Sequence, residues 1–318
     1  MAKGPSRVEL EAKHCWERDD QVPGRPEMTR FRQRLRYYQA IWRETNGHPI
    51  GSQPIVANAN HPGRPMGSRL PLDYARETGA NFLTAGAVNA AKARLSIIEP
   101  NQSIDHQRIW ADLLWSPAMA FNLFGELASN LGRADRAVHA WWPDAPGKVG
   151  EIRFAHSPGW LDPAYLNSLR VFDAAIGLER PDGSWGIIGV DIKYHEKTKA
   201  ETPRPSNMWR YRQVADRSGA FVPRAIDKLN GRNDLAVMWL EHLLLLSMLQ
   251  HGTSRWSWGL YVVVHPKDNS DVRDACARYG DLLTDHSTFA AMTLEELLEA
   301  RAFPPRTAVA LRERYIPA

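Results

Sequence analysis

Apolar residues first recur with a helical period at Phe31, Leu35, Tyr38 and Trp42, a single stripe flanked by Arg30, Arg32, Arg34, Arg36 and Arg43. The two dozen residues before it end in Pro23-Gly24-Arg25-Pro26 and read as a loosely held arm. From Pro49 to Pro71 the chain is rich in Gly, Pro and Asn, which predicts a long irregular connection, often a functional one. The Ala-rich stretch Leu72 to Glu99 predicts helix. A further helix is expected to start at Ser116-Pro117, with Ser as N-cap and Pro at the first helical position, and to stop at Gly132.

After Glu151 the period shortens to that of strands. Val171–Leu178 and Trp185–Tyr194 read as two β-runs around the turn signal Arg180-Pro181-Asp182-Gly183-Ser184. A nearly all-apolar helix, Leu235–Gln250, follows Asp234 as its cap. The unbroken apolar run Trp258–Val264 suits a central strand. Thr293 and Glu296 form a capping box for a helix from Leu294 to Arg301. Strands in the middle, with helices before, between and after them, predict an α/β protein of two or three layers with a helical N-terminal extension.

Composition narrows the classes. The 318 residues are 43% hydrophobic and 24% charged, ordinary values for a globular chain, so global disorder is excluded. Met238–Leu249 is the most apolar stretch, but it is too short to span a bilayer and is interrupted by Glu241 and His242. Only Cys15 and Cys276 are present, which rules out a disulfide framework or a Cys-rich zinc module. A reduced, soluble, cytoplasmic protein without a membrane partner is the expectation. The net charge of +4 says little until it is localised: Lys193 to Arg232 holds ten cations against four acids. A basic segment of this kind suits a polyanion, although a solvated basic face is the plainer reading.

The strongest chemical signal lies on the expected hairpin. Alternation puts Ile188, Val190, Ile192 and Tyr194 on one face of the second strand, and Asp191 with Lys193 on the other. A turn centred on Asp182 pairs residues whose numbers add to 364, which sets Asp173 opposite Asp191. Like charges placed across a ladder destabilise it unless something positive sits between them. A divalent cation would do so, with Lys193 beside it. Glu126 offers a third carboxylate, at the edge of a helix face whose core stripe is Ala120, Phe124, Leu127 and Leu131, and Gly125 beside it would admit another backbone closely. An acid two places before a lysine arises by chance about as often as it occurs here. Glu11-Ala-Lys13, in the polar arm, is therefore discounted, and Asp191-Ile-Lys193 gains its weight from context.

Glu126, Asp173 and Asp191-Ile192-Lys193 together resemble the PD-(D/E)XK nuclease superfamily, in which a helix supplies a Glu, one strand an Asp, and the next strand an acid-x-Lys. Gln39–Glu44, Asn81–Thr84, Ala120–Gly125, Ser157-Pro158-Gly159 and Val190–Glu196 further resemble an uncharacterised bacterial family of the restriction-endonuclease type. The resemblance implies a restriction-endonuclease-like core, a mixed central sheet flanked by helices, over residues 111–270. An N-terminal arm and helical extension (1–110) and a C-terminal helical tail (271–318) would surround it. Phe172 stands where the family name has Pro, and no convincing Gln-x-x-x-Tyr signature of the processive exonucleases is found.

The implied activity is metal-dependent endonucleolytic hydrolysis of DNA in restriction or antiphage defence. Asp173 and Asp191 are hard oxygen donors suited to Mg²⁺ or Mn²⁺. By resemblance the Ile192 carbonyl and Glu126 complete the metal set, while Lys193 orients or deprotonates the attacking water. Arg32, Arg36, Arg43, Lys197, Lys199, Arg210, Tyr211 and Arg212 are the candidate nucleic-acid contacts. An RNA-directed nuclease of the same fold and a catalytically silent binding subunit are the alternatives, and a homodimer or a defence-complex subunit is the expected assembly. His195 reads as a surface residue, Glu241-His242 as a helix edge, and most of the 12 tryptophans as core. No Walker A, Rossmann or nucleophile-elbow motif occurs.

Overall fold

The computed structural model describes residues 4–15, 21–102 and 104–317. In chain order the elements are helices α1 (Arg7–Ala12) and α2 (Pro26–Thr45), strands β1 (Gly51–Gln53) and β2 (Arg64–Met66), and helices α3 (Leu72–Thr78), α4 (Ala85–Ser96), α5 (Arg108–Ala111), α6 (Ser116–Ala128) and α7 (Leu131–Trp141). Strands β3 (Lys148–His156), β4 (Phe172–Glu179) and β5 (Trp185–Ile192) follow, then helices α8 (Met208–Ser218), α9 (Ala225–Leu229) and α10 (Ala236–Leu249). The chain ends with β6 (Trp256–His265), α11 (Ser270–Gly280), β7 (Phe289–Thr293), α12 (Leu294–Glu299) and α13 (Pro305–Tyr315).

Five strands form one sheet in the order β3-β4-β5-β6-β7. The first three are antiparallel, whereas β5, β6 and β7 run parallel. Alternation along the strands divides the interior into two clusters. Ala174, Ile176, Ile188, Val190, Ile192, Val262 and Val264 face α2, α4, α6, α7, α12 and α13. Ala175, Ile187, Tyr261 and Val263 face α8, α10 and α11. The result is a three-layer α/β sandwich with a mixed central sheet, the restriction-endonuclease-like architecture. Leu35, Phe124, Val190 and Tyr315, from the segments 1–110, 111–270 and 271–318, share the first cluster, while Leu10, Cys15 and Ala40 form a small separate one.

The hairpin register is the one the turn dictates. Ala174 pairs with Val190, Ile176 with Ile188 and Glu179 with Trp185. The turn is closed by Arg180 N–H to Ser184 O at 3.0 Å and by Ser184 N–H to Asp182 Oδ1 at 3.0 Å, with Gly183 at φ +80°. Phe172 departs from strict alternation. It packs with Ala175 and Ile187, lying over Gly189, where a Cβ would come within 2.7 Å of its ring.

Several local expectations shift. Leu72–Glu99 breaks into α3 and α4 at Gly79, which is left-handed (φ +68°). The Pro49–Pro71 connection contains the small β1–β2 ladder. Helix α6 stops at Ala128 because Asn130 caps a new helix through Arg133 N–H, leaving Leu131 exposed rather than in the core stripe. Gly125 admits a close neighbour as expected: a Cβ there would sit 2.5 Å from the Ala87 Cα on α4. The Thr293–Glu296 capping box is present.

Candidate active site

The acidic strand motif sits where β4 and β5 part. Beyond the last paired residues, Ala174 and Val190, the Asp173 carboxylate reaches across and accepts from Ile192 N–H at 2.8 Å. Asp191 is buried, and Lys193 Nζ donates to its Oδ1 at 2.9 Å and forms an ion pair with Oδ2 at 2.7 Å. The segment after β5 is pinned from outside. Asn269 Nδ2 donates to the carbonyls of Lys193 (3.1 Å) and Glu196 (3.0 Å). Ser116 does not cap α6. Its Oγ donates to Glu196 Oε2 (2.5 Å) and accepts from Tyr194 N–H (3.2 Å), tying the start of α6 to the segment after β5.

Glu126 is not part of this cluster. Its oxygens accept from Arg133 Nη1 (3.1 Å) and Thr307 Oγ1 (2.6 Å), a structural tie between α6, α7 and α13. Pro117 at the other end of α6 lines a pocket with Asp173, and nine residues of helix put Glu126 about 13 Å further along. The reason is the close crossing at Gly125, which holds this end of α6 against α4: a Cβ on Gly86 would meet Glu126 Cα at 2.8 Å.

The third carboxylate at the site is Glu241, from the middle of α10. It is buried rather than at a helix edge, and it accepts from the Tyr261 hydroxyl at 2.9 Å, which in turn lies 3.3 Å from Asp191 Oδ2. Burial, then the Asp191 charge, drive the Glu241 carboxyl well above its ordinary range. The same two causes raise Asp173. Burial opposes the charge on Lys193, but Asp191, Glu241 and Asp173 outweigh it and hold its pKa above that of a free lysine. Arg170, paired with Glu201 at 2.7 Å, adds a cation within reach of Glu241. A carboxylate amid the apolar run Met238–Leu249 was itself a signal, since buried acids persist only with partners.

The candidate nucleic-acid contacts separate into two groups. Arg32, Arg36, Lys197 and Lys199 line a single cleft of about 520 Å³, joined by Arg69 and Arg108, which had not been singled out, and by His195, which is buried rather than on the surface. Arg43, Arg210 and Tyr211 are withdrawn into the interior. Arg43 donates to the carbonyls of Gly67 (3.0 Å) and His48 (2.7 Å), and Arg210 to those of Tyr165 (2.6 Å) and Ala164 (3.0 Å). Tyr211 packs edge-on against Trp239. Arg212 pairs with Asp227 at 3.3 Å on α8, away from the cleft lining.

The sequence model of the PD-(D/E)XK nuclease superfamily matches residues 26–317. The chain therefore belongs to that superfamily and is a nuclease by class. Its members typically work with divalent metals. No curated protein and no solved structure matches the chain. Among the described residues, no helix is long and apolar enough to cross a membrane.

Proposed function

We propose that the protein is an endonuclease that hydrolyses DNA phosphodiester bonds with Mg²⁺ or Mn²⁺, in a restriction or antiphage role. The observation that carries this reading is the meeting of Asp173, Asp191 and Lys193 where β4 and β5 part. The donor set suits a divalent ion. Burial and then the Asp191 charge raise Asp173, and a cation between the two carboxylates would relieve their repulsion. Among the described residues no group of three His, Cys, Asp or Glu side chains is placed to hold a metal ion. Mg²⁺ is usually held by only one or two carboxylates, with water and substrate phosphate oxygens as its other ligands.

Asp173, Asp191 and the Ile192 carbonyl would hold the ion, which when bound supplies Lewis acidity toward phosphate and water. Lys193, beside these carboxylates, would orient or deprotonate the attacking water and offset the charge of the scissile phosphate. Tyr261 and Glu241 fix the orientation of Asp191. The cations of the 520 Å³ cleft take the flanking phosphates.

The test is incubation of purified protein with plasmid, linear duplex, single-stranded DNA and RNA in Mg²⁺, Mn²⁺ or EDTA. Metal-dependent internal cuts in DNA are expected. Cleavage confined to RNA would replace the substrate assignment, and no cleavage of any polymer would leave a silent binding subunit.

A further inference from the structure

A second pocket adjoins the acidic cluster and is unlike the basic cleft. Ile104, Trp115, Pro117, Trp160 and Val171 line it together with Asp173, and each of them is only half-buried. We propose that this pocket seats an unpaired nucleobase, with Trp160 as its stacking platform, so that cleavage falls in single-stranded or locally opened nucleic acid. The inference rests on the nuclease reading above and names the state of the substrate it acts on.

Trp160 is held in advance. Its indole N–H donates to Glu99 Oε2 at 3.3 Å, and Glu99 is held by Arg94 Nη2 at 2.7 Å. Arg94 also donates to the carbonyls of Phe154 (2.8 Å) and Ala155 (3.1 Å), which anchors the whole group to β3. With its edge tied down, the indole loses little freedom when a ring stacks on its face. The turn that supplies Glu99 also carries Ile97 and Ile98, 53% and 87% exposed. Trp160 itself lies on the β3–β4 connection, in which Leu161 and Asn167 adopt positive φ (54° and 51°), as does Ala155 near the end of β3 (42°). Side chains other than glycine avoid that region, and such backbone persists where the surroundings over-determine it.

The pocket and the cleft together match a nucleotide. The Arg108 guanidinium lies 4.9 Å from the Trp115 ring, and Arg108 also lines the cleft with Arg32, Arg36, Lys197 and Lys199. Trp115 thus stands between a cationic surface and an apolar one, the division between a phosphate backbone and a base. A base within a duplex is stacked and paired on both sides and cannot enter such a pocket; it must be unpaired or turned out. The cavity of about 50 Å³ is smaller than a base, so only part of a ring would enter it, with the rest lying against the half-buried indoles at its wall. Stacking of this kind tolerates any base, so little sequence preference is expected from it.

The experiment uses DNA oligonucleotides carrying one 2-aminopurine, as a single strand, in a full duplex, and unpaired within a duplex. Binding is followed in EDTA, and single-turnover cleavage in Mg²⁺. The full-length parent, Trp160→Ala, Trp160→Phe and Lys193→Ala are compared. The parent is expected to quench the probe when it is single-stranded or unpaired and to leave the paired probe unchanged. Trp160→Ala should lose the quench and bind single strands on the order of 10-fold more weakly, the scale of one base–aromatic stack, with Trp160→Phe in between. Should Trp160→Ala fail to fold, the parent's discrimination between probes and the Trp160→Phe affinity decide. Equal quenching of paired and unpaired probes, or a folded Trp160→Ala that binds and cuts like the parent, overturns the proposal. Lys193→Ala separates the two readings: it should stop cleavage and keep the quench. Cleavage lost with Lys193 but indifferent to Trp160 would leave the nuclease reading standing alone. A quench with no cleavage by any protein would leave the base pocket standing alone.

Discussion

Lys193 sits among Asp191, Glu241 and Asp173, and this company fixes the charge it presents to a substrate. Removing a carboxylate and removing the ammonium should therefore act oppositely on binding. In EDTA, Asp191→Asn is expected to bind DNA at least as tightly as the parent, because a negative charge near the phosphate has gone. Lys193→Ala should bind equally or more weakly. With Mg²⁺ both should lose cleavage by about 10² or more, as measured by single-turnover rates on variants whose circular dichroism is unchanged. The two glutamates supply a second contrast. Glu241→Gln disturbs the Tyr261–Asp191 arrangement and should slow cleavage, whereas Glu126→Gln weakens only its contacts with Arg133 and Thr307. Its effect should appear in stability, at about 1 kcal/mol, with the cleavage rate unchanged. A slowed Glu126→Gln that retained parental stability would return Glu126 to the site.

At the scale of elements, α10 and α2 show how a helix can be recognised from its sequence while its working face is not. Helix α10 is apolar all round, so it lies fully in the interior, and its one histidine is enclosed with it. His242 shares hydrogen bonds with the Tyr279 hydroxyl (2.9 Å) and Thr288 Oγ1 (3.0 Å), and burial pushes its pKa down to about 3. The unfolded chain takes up this proton near pH 6.5 and the folded chain does not, so stability is full above that pH. It falls as the pH drops toward 3, by up to about 1.4 kcal/mol per pH unit. His242→Gln should flatten this acid limb in urea midpoints taken between pH 7 and 4. His156, also pushed down to about 3 by burial, leaves a second share of the slope in that variant. Helix α2 presents Arg32 and Arg36 to the cleft but buries Arg43. Replacing Arg32 and Arg36 with Gln should lower the log–log salt dependence of DNA binding by about 2 units. Arg43→Gln should instead leave that slope intact and lower the unfolding midpoint.

For the molecule as a whole, the C-terminal helix closes the core instead of trailing from it. Arg314 is fully buried, bonded to Gln39 and, at 3.1 Å, to Asn81 Oδ1, with its guanidinium 3.8 Å from the Trp42 ring. Tyr194, the residue after Lys193, meets the same group: its hydroxyl accepts from Gln39 and donates to Tyr315 O. Arg314→Met removes the donor from three buried acceptors, on Gln39, Asn81 and Leu113, and should destabilise by about 2–4 kcal/mol in urea. Because the N-terminal helices, the sheet and the tail share one cluster, near- and far-ultraviolet circular dichroism should unfold in a single coincident transition. Two separated transitions would mean that the extension or the tail folds as a unit of its own.

What the sequence determined by itself is what short-range geometry controls. The Asp182-Gly183 turn sets the β4–β5 register, and the register with the two-residue period brings Asp173 and Asp191 together with Lys193 on the same side. Thr293 and Glu296 start a helix within one turn of chain, and Gly125 announces a close crossing without naming the partner. Tertiary structure alone decided the rest. In an all-apolar helix the period does not say which way Glu241 points, and only the docking of α10 on β6 places it against Tyr261 and Asp191. Glu126, Arg43, Arg210 and Tyr211 have the residue types of a nuclease site, but long-range packing turns each toward an internal partner. Which partner a side chain finds across tens of residues depends on the energy of the whole packed interior, and a local pattern does not carry that information.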